Sequence, residues 1–98
     1  MKEKIKTLEE LQRIIADLKS KGKKIVHCHG VFDLVHVGHI KHFQEAKKIG
    51  DFLVVSITSD KYVNKGLGRP IFNENLRAEV LSSITYIDAV YINHYATS

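Results

Sequence analysis

The chain has 98 residues, 44% of them hydrophobic and 27% charged, and a formal net charge of +4. This size suits one small domain with an economical core, and the composition is typical of globular proteins. No apolar run approaches the roughly 20 residues of a membrane-spanning helix, and the polar N-terminus does not resemble a signal peptide. The single cysteine excludes an internal disulfide and fits a reducing compartment. We therefore expect a cytoplasmic protein without a membrane partner.

The positive charge has two interpretations, binding to nucleic acid and solvation of helix ends. The lysines cluster in residues 2–6 and 19–24. There is no arginine cluster and no alternation of aromatic and basic residues. The pattern favours solvated helix ends, and we expect no nucleic-acid partner.

The first half of the chain alternates helix, strand and helix. Thr7 and Glu10 have the spacing of a capping box, and the apolar residues after them predict an amphipathic helix over residues 7–20. A strand is predicted over residues 24–29 and a second helix over residues 38–49. The residues of the second helix expected to face inward are Ile40, Phe43, Ala46 and Ile49.

The second half continues the alternation. Residues 52–58 form a nearly continuous apolar strand, as expected when both faces of a sheet are covered. A long loop follows over residues 59–73, then a helix over 74–83 and a third strand over 89–92. The buried side of this helix is expected to contain Leu76, Val80, Leu81 and Ile84. The order predicts an α/β fold, the βαβαβ half of a Rossmann-like doubly wound parallel sheet with a leading helix.

We divide the chain into an N-terminal amphipathic helix, residues 1–22, and a Rossmann-like domain, residues 23–98. A half sheet of three strands leaves an exposed edge, and residues 95–98 resemble the approach to another helix. We therefore expect the domain to be truncated at its C-terminus. The expected assembly is a homo-oligomer or a part of a larger chain.

The segment from Gly30 to His39 follows the first strand and opens the second helix. Open α/β sheets bind ligands at this edge, and a helix start offers free N–H groups and a positive dipole end to an anion. Gly30 and Gly38 allow close approach of the backbone, and His36 and His39 can donate hydrogen bonds to phosphate oxygens. The segment therefore predicts a phosphate site.

The ten-residue string Gly-Val-Phe-Asp-Leu-Val-His-Val-Gly-His resembles the His-x-Gly-His signature of the cytidylyltransferase-like nucleotidyltransferase superfamily. That superfamily includes glycerol-3-phosphate, phosphocholine and phosphoethanolamine cytidylyltransferases and the ADP-heptose synthase domain, to which the leading helix is most similar. The resemblance covers residues 7–94. It continues through Ile49-Gly50-Asp51, Ser59-Asp60, Arg69-Pro70, Asn75-Leu76-Arg77 and Tyr86-Ile87-Asp88.

The resemblance implies a role for individual residues. His36 and His39 would contact the nucleotide phosphates and stabilise charge during attack on the α-phosphate, and Arg77 would reach the phosphates from its helix. Lys65 matches the family's phosphate-binding lysine approximately, and a neighbouring position could be the equivalent. The remaining nucleotide-binding residues would be Gly30, Val31 and Phe32 with their backbone, Asp33 holding the loop, and Gly38.

The implied reaction transfers CMP or AMP from CTP or ATP, with Mg²⁺, to a sugar or polyol phosphate and releases pyrophosphate. The sequence does not distinguish CTP from ATP. The family's Ser/Thr-rich second phosphate motif has no counterpart here, so the alternative is a nucleotide-binding or assembly module without catalysis. Adenylylation of pantetheine phosphate fits less well, because the long leading helix and the Phe32-Asp33 context match the cytidylyltransferase and heptose branch.

Five of the six histidines lie within residues 27–42, which raises the alternative of a zinc site. His36, His39 and His42 share a local helical spacing, but a spacing of i, i+3, i+6 spreads too far around a helix for one tetrahedral ion, and we expect no metal site. His27 and His29 are interpreted as packed or edge residues of the first strand, although His29 is close enough to touch a substrate.

Three other residues have alternative interpretations. Cys28 is a candidate nucleophile, but a small buried thiol is commoner. Lys65 is either a phosphate ligand or ordinary loop charge. Arg77 either reaches a phosphate or pairs with Glu74 or Glu79 on the helix surface.

Overall fold

The computed structural model describes residues 2–63 and 70–95. The strands are β1 (Ile25–Gly30), β2 (Phe52–Thr58) and β3 (Ala89–Asn93), and the helices are α1 (Leu8–Ser20), α2 (Val37–Lys48) and α3 (Glu74–Ser82). Short 3-10 helices occupy Lys2–Lys4 and Asp60–Tyr62. The six predicted elements are confirmed with ends shifted by at most one residue, whereas Lys65 lies outside the described residues. In the described part of the chain, no helix is both long and apolar enough to cross a membrane.

The three strands form a parallel sheet in the order β1-β2-β3. His29 of β1 is opposite Ser56 of β2, and Ser56 is opposite Tyr91 of β3. The central position of β2 explains its apolar sequence, since six of its seven residues are buried. The predicted βαβαβ arrangement is confirmed.

Helices cover both faces of this sheet. On one face α2 and α3 pack against alternate residues of β2, and the shared core contains Phe43, Ala46, Leu53, Val55, Ile57, Ala78, Leu81, Ile87 and Val90. On the other face Leu11 of α1 packs against Val54 and Ala89. Cover on both faces is what defines a doubly wound sheet.

The N-terminal segment lies along the outer edge of β3. Ile5 forms a parallel bridge with Val90, and the Lys6 N–H donates to the Val90 carbonyl at 2.8 Å. The predicted capping box of α1 is present, because Thr7 and Glu10 bond reciprocally. The helix thus shares a core with the sheet, and its predicted separation from the domain at residue 22 stays a prediction.

The predicted inner faces of two helices were partly wrong. In α3, Leu76 and Val80 are nearly half exposed, and the residues that face the core are Arg77, Ala78, Leu81 and Ser82. The apolar spacing misleads because the buried stripe contains an arginine at its centre. Ile40 of α2 and Ile49 at its end are also exposed, since the buried residues of this helix are Phe43 and Ala46.

Candidate functional site

The junction, which we define as residues 30–39, leads from β1 into α2. Phe32 has a φ of 51°, a left-handed conformation that is uncommon outside glycine. Its ring lies back over Gly30, where an added Cβ atom would be 2.9 Å from two ring carbons. The ring also contacts His39 and Phe43, with centroids 5.5 and 5.3 Å away. Glycine at residue 30 therefore makes room for the ring that supports His39.

Two histidines cap the start of α2. The Nδ1 atom of His36 accepts a hydrogen bond from the Gly38 N–H at 3.0 Å, and the Nδ1 atom of His39 accepts one from the His36 N–H at 3.2 Å. A ring nitrogen that accepts a hydrogen bond has no proton, so this geometry assigns the proton of each neutral ring to Nε2. Both Nε2–H groups are thus donors at the positive end of a helix.

The paired rings lie beside a cavity of about 300 Å³ lined by Val31, Phe32, Asp33, Leu34, His36 and His39. Their centroids are 4.1 Å apart. Partial burial, followed by the neighbouring His36 and His42, lowers the pKa of His39 below its ordinary value. His39 is therefore neutral at pH 7, in agreement with its hydrogen bonding.

Asp33 is buried and connects the junction to the segment before α3. Its two carboxylate oxygens accept hydrogen bonds from the N–H groups of Ile71 and Phe72, at 2.7 and 2.9 Å. Charged hydrogen bonds of this kind are stronger than neutral ones. The carboxylate thus fixes residues 71–72, and direct contact with a nucleotide stays a prediction.

Arg77 is 1% exposed. Its Nη1 donates to the carbonyls of Val31 and Thr58, at 3.0 and 2.8 Å, and its Nε donates to the Phe72 carbonyl at 3.0 Å. Its Nη2 pairs with Asp60 at 2.6 Å. The alternative of a surface pair with Glu74 or Glu79 is wrong. The phosphate role stays a prediction, and in this structure these donors bind the protein.

Asp33, Asp60 and Arg77 together form what we call the clamp. They tie the loops after β1 and β2 to the segment before α3. Sequence reasoning included Asp60 in the resemblance but did not single it out as a site residue, although this carboxylate lies two residues after a buried strand, at the same sheet edge as the junction. An arginine buried this deeply needs an anionic or carbonyl partner, and Arg77 has both, in Asp60 and in three backbone carbonyls.

The other predicted binding residues lie around this edge. An added Cβ atom on Gly38 would be 2.7 Å from Cε1 of His36, so glycine allows that ring to fold over the helix start. The Val31 carbonyl is already held by Arg77. Lys65 lies outside the described residues, and its role stays a prediction.

Three of the four remaining histidines form two other groups. His27 and His29 both contact the Ser56 hydroxyl, and His42 lies 3.7 Å from the Cys28 sulfur. Burial raises the pKa of the Cys28 thiol, which opposes a nucleophilic role. Within residues 2–63 and 70–95, no group of three or more His, Cys, Asp or Glu side chains is arranged to hold a metal ion.

Helices on both faces of a parallel sheet, with two imidazole donors at a helix start on its carboxyl edge, define a Rossmann-like domain of the nucleotidyltransferase type. A family model described as Cytidylyltransferase-like matches residues 27–97, and the chain belongs to this family. The predicted family resemblance is confirmed.

Similar proteins support the assignment. The chain is 44% identical over 90 residues to the bifunctional protein HldE of Aliarcobacter butzleri, and 48% identical over 91 residues to that of Geobacter metallireducens. These alignments cover 90% and 91% of the chain but only 19% of each relative. The crystal structure of a lipopolysaccharide core biosynthesis protein from Thermoplasma volcanium matches with a TM-score of 0.66 and 39% identity, over 74% of this chain and 60% of that one.

Proposed function

We propose that the chain transfers CMP or AMP from CTP or ATP to the phosphate of a sugar or polyol and releases pyrophosphate. The observation that carries this proposal is that His36 and His39 bind the backbone at the start of α2 through Nδ1 and so leave Nε2 to donate to a ligand. Two neutral donors beside a helix dipole suit the oxygens of a triphosphate. The junction string and the HldE relatives favour a sugar phosphate as the acceptor.

In the proposed reaction an oxygen of the acceptor phosphate attacks the α-phosphorus. A new O–P bond forms, the bridging bond between the α- and β-phosphates breaks, and pyrophosphate leaves. A phosphate monoester has a second pKa of about 6, so it is already an anion near neutral pH and needs no strong base. His36 and His39 contribute by donating hydrogen bonds to phosphate oxygens as charge develops.

Mg²⁺ is expected to arrive with the triphosphate as part of the substrate. Mg²⁺ prefers oxygen ligands, and the carboxylate that lines the cavity, Asp33, already accepts two backbone hydrogen bonds. The described residues of the cavity therefore fit triphosphate oxygens better than a bare ion.

The test is release of pyrophosphate when the chain is incubated with Mg²⁺, either CTP or ATP, and a series of sugar and polyol phosphates. We expect release with one nucleotide, and a large loss for His39→Ala. His42→Ala is the matched control, because this exposed histidine lies one turn further along α2. Absence of release with every pair of substrates would contradict the proposal.

A second candidate function is a nucleotide-binding or assembly module without turnover. The chain spans about a fifth of the length of its HldE relatives. Calorimetric titration distinguishes the two functions, because a module binds CTP or ATP without consuming it. In either case we propose a cytoplasmic location, in keeping with the single free cysteine.

A further inference from the structure

A cluster of hydrogen-bonded polar side chains lies on the face of the sheet that α1 covers only in part. The Ser56 hydroxyl is hydrogen-bonded to His27 Nε2 at 2.7 Å and to His29 Nδ1 at 2.6 Å. Thr58 Oγ1 is 3.3 Å from His29 Nε2. We call these four side chains the ladder. Ser56 and Thr58 are 3% and 6% exposed, whereas both imidazoles are exposed.

The ladder extends beyond the end of the α1 contact. Leu11 and its neighbours cover the amino half of this face, and His27 borders the apolar cavity beneath the helix. Above that point the strands turn from apolar to polar. Side chains that serve only the core are rarely hydroxyl or imidazole groups, yet such groups lie here on the central strand and its neighbour.

The backbone at the upper end of the ladder lies near the phosphate cavity. The carbonyls of Thr58 and Val31 accept hydrogen bonds from the same atom, Nη1 of Arg77, so they are close neighbours. Val31 lines the cavity beside His36 and His39. A molecule with its phosphate in that cavity could therefore extend over the carboxyl edge and along the ladder.

The chemistry of the ladder selects a neutral ligand. None of its members is an acid, a lysine or an arginine, and burial, followed by the neighbouring His29, lowers the pKa of His27. Ser56 has one proton and faces two ring nitrogens, so one imidazole donates while the other accepts. The direction of the hydrogen bonds along the ladder can reverse, so its side chains can both donate hydrogen bonds to a ligand and accept them from it. Alcohol groups have the same double character.

We propose that the ladder is the site that binds the hydroxyl groups of the acceptor, and that it selects sugar phosphates over phosphate esters without hydroxyls. This inference rests on the proposed function of the junction. The phosphate of the acceptor would lie near His36 and His39. The hydroxyl groups of its sugar would form hydrogen bonds with His27, His29 and Thr58.

The experiment compares acceptors that differ in hydroxyl content: hexose and heptose 1-phosphates, glycerol 3-phosphate, and phosphocholine, which has no hydroxyl. Pyrophosphate release is measured at saturating nucleotide. We expect Ser56→Ala and Thr58→Val each to raise the KM for the sugar phosphate about tenfold, with little change in the KM for nucleotide. Ser82→Ala is the control, since Ser82 is a buried serine of α3 that bonds only its own helix.

Equal use of phosphocholine and sugar phosphate by the unmodified chain, or an unchanged KM in both variants, would overturn the inference while leaving nucleotidyl transfer intact. Failure of transfer with every acceptor would instead count against the proposed function. In that case the ladder is tested by NMR of the imidazole resonances, with a non-hydrolysable triphosphate analogue present. We expect the His27 and His29 resonances to shift with heptose 1-phosphate and not with phosphocholine. The inference is rejected when neither ligand shifts them.

Discussion

The junction and the clamp lie at the same edge of the sheet and use nitrogen donors in opposite ways. His36 and His39 direct Nδ1 towards the backbone and keep Nε2–H for a ligand. Arg77 directs its donors inward, to three carbonyls and Asp60. The first arrangement can contribute to binding and catalysis by contact. The second contributes by holding three loops in place, so removal of its donors should affect folding first.

The largest expected effect is on stability. Arg77→Met should lower the free energy of unfolding by about 3 kcal/mol, because buried carbonyls lose their donor and Asp60 loses its partner. Arg77→Lys retains the charge but reaches fewer acceptors, so we expect an intermediate loss. Urea denaturation measures both. A stable Arg77→Met chain that had lost only activity would show that Arg77 acts by contact and not through the clamp.

The next effect is on turnover. His39→Ala removes one Nε2–H donor and one backbone cap, and we expect kcat/KM to fall about 100-fold while the free energy of unfolding changes by about 1 kcal/mol. Pyrophosphate release and urea denaturation test the two parts. A loss of stability as large as that of Arg77→Met would remove the distinction between the junction and the clamp.

The junction was predictable from the sequence, because its residue types are local: a strand end, a helix start and two histidines within ten residues. The clamp was not. Arg77 lies at the centre of a buried helix face, and a sequence pattern assigns such a residue to the surface because charged side chains are rarely buried. Asp60 becomes its partner only once α3 packs against β2.

The ladder depends on the alignment of β1 with β2. Alternation along β1 predicts that His27 and His29 share a face, but it does not reveal Ser56 between them. The register places His29 opposite Ser56, and parallel strands far apart in sequence give no local signal of their register. The exposed positions of Leu76 and Val80 were missed for the reason that hid Arg77, since the true buried stripe is rotated from the apolar one.

A smaller effect is expected from Gly38→Ala, which alters the junction alone. The new Cβ atom would meet Cε1 of His36 at 2.7 Å, so this exposed ring must turn and lose its bond to the backbone. We expect the Kd for nucleotide to rise about fivefold. The free energy of unfolding should be nearly unchanged, because alanine favours helix by about 1 kcal/mol over glycine, which offsets the lost bond to the backbone. Calorimetry measures the Kd. Val37→Ala, at the exposed neighbouring position, should leave it unaltered.

The smallest effect concerns pH and separates His39 from the uncharged contacts around it. The pKa of His39 is lowered in the folded chain, first by partial burial and then by His36 and His42. As the pH falls below about 6.5, the unfolded chain therefore takes up this proton before the folded chain does, and folding loses stability. The contribution is present above pH 6.5 and disappears towards lower pH.

His39→Asn keeps an acceptor for the His36 N–H but has no proton to gain. Its unfolding midpoint should consequently fall less than that of the unmodified chain between about pH 7.5 and about pH 5.5. Equal falls in the two chains would mean that protonation of His39 does not weaken the helix start, and the neutral tautomer assigned to the junction would then have to be abandoned.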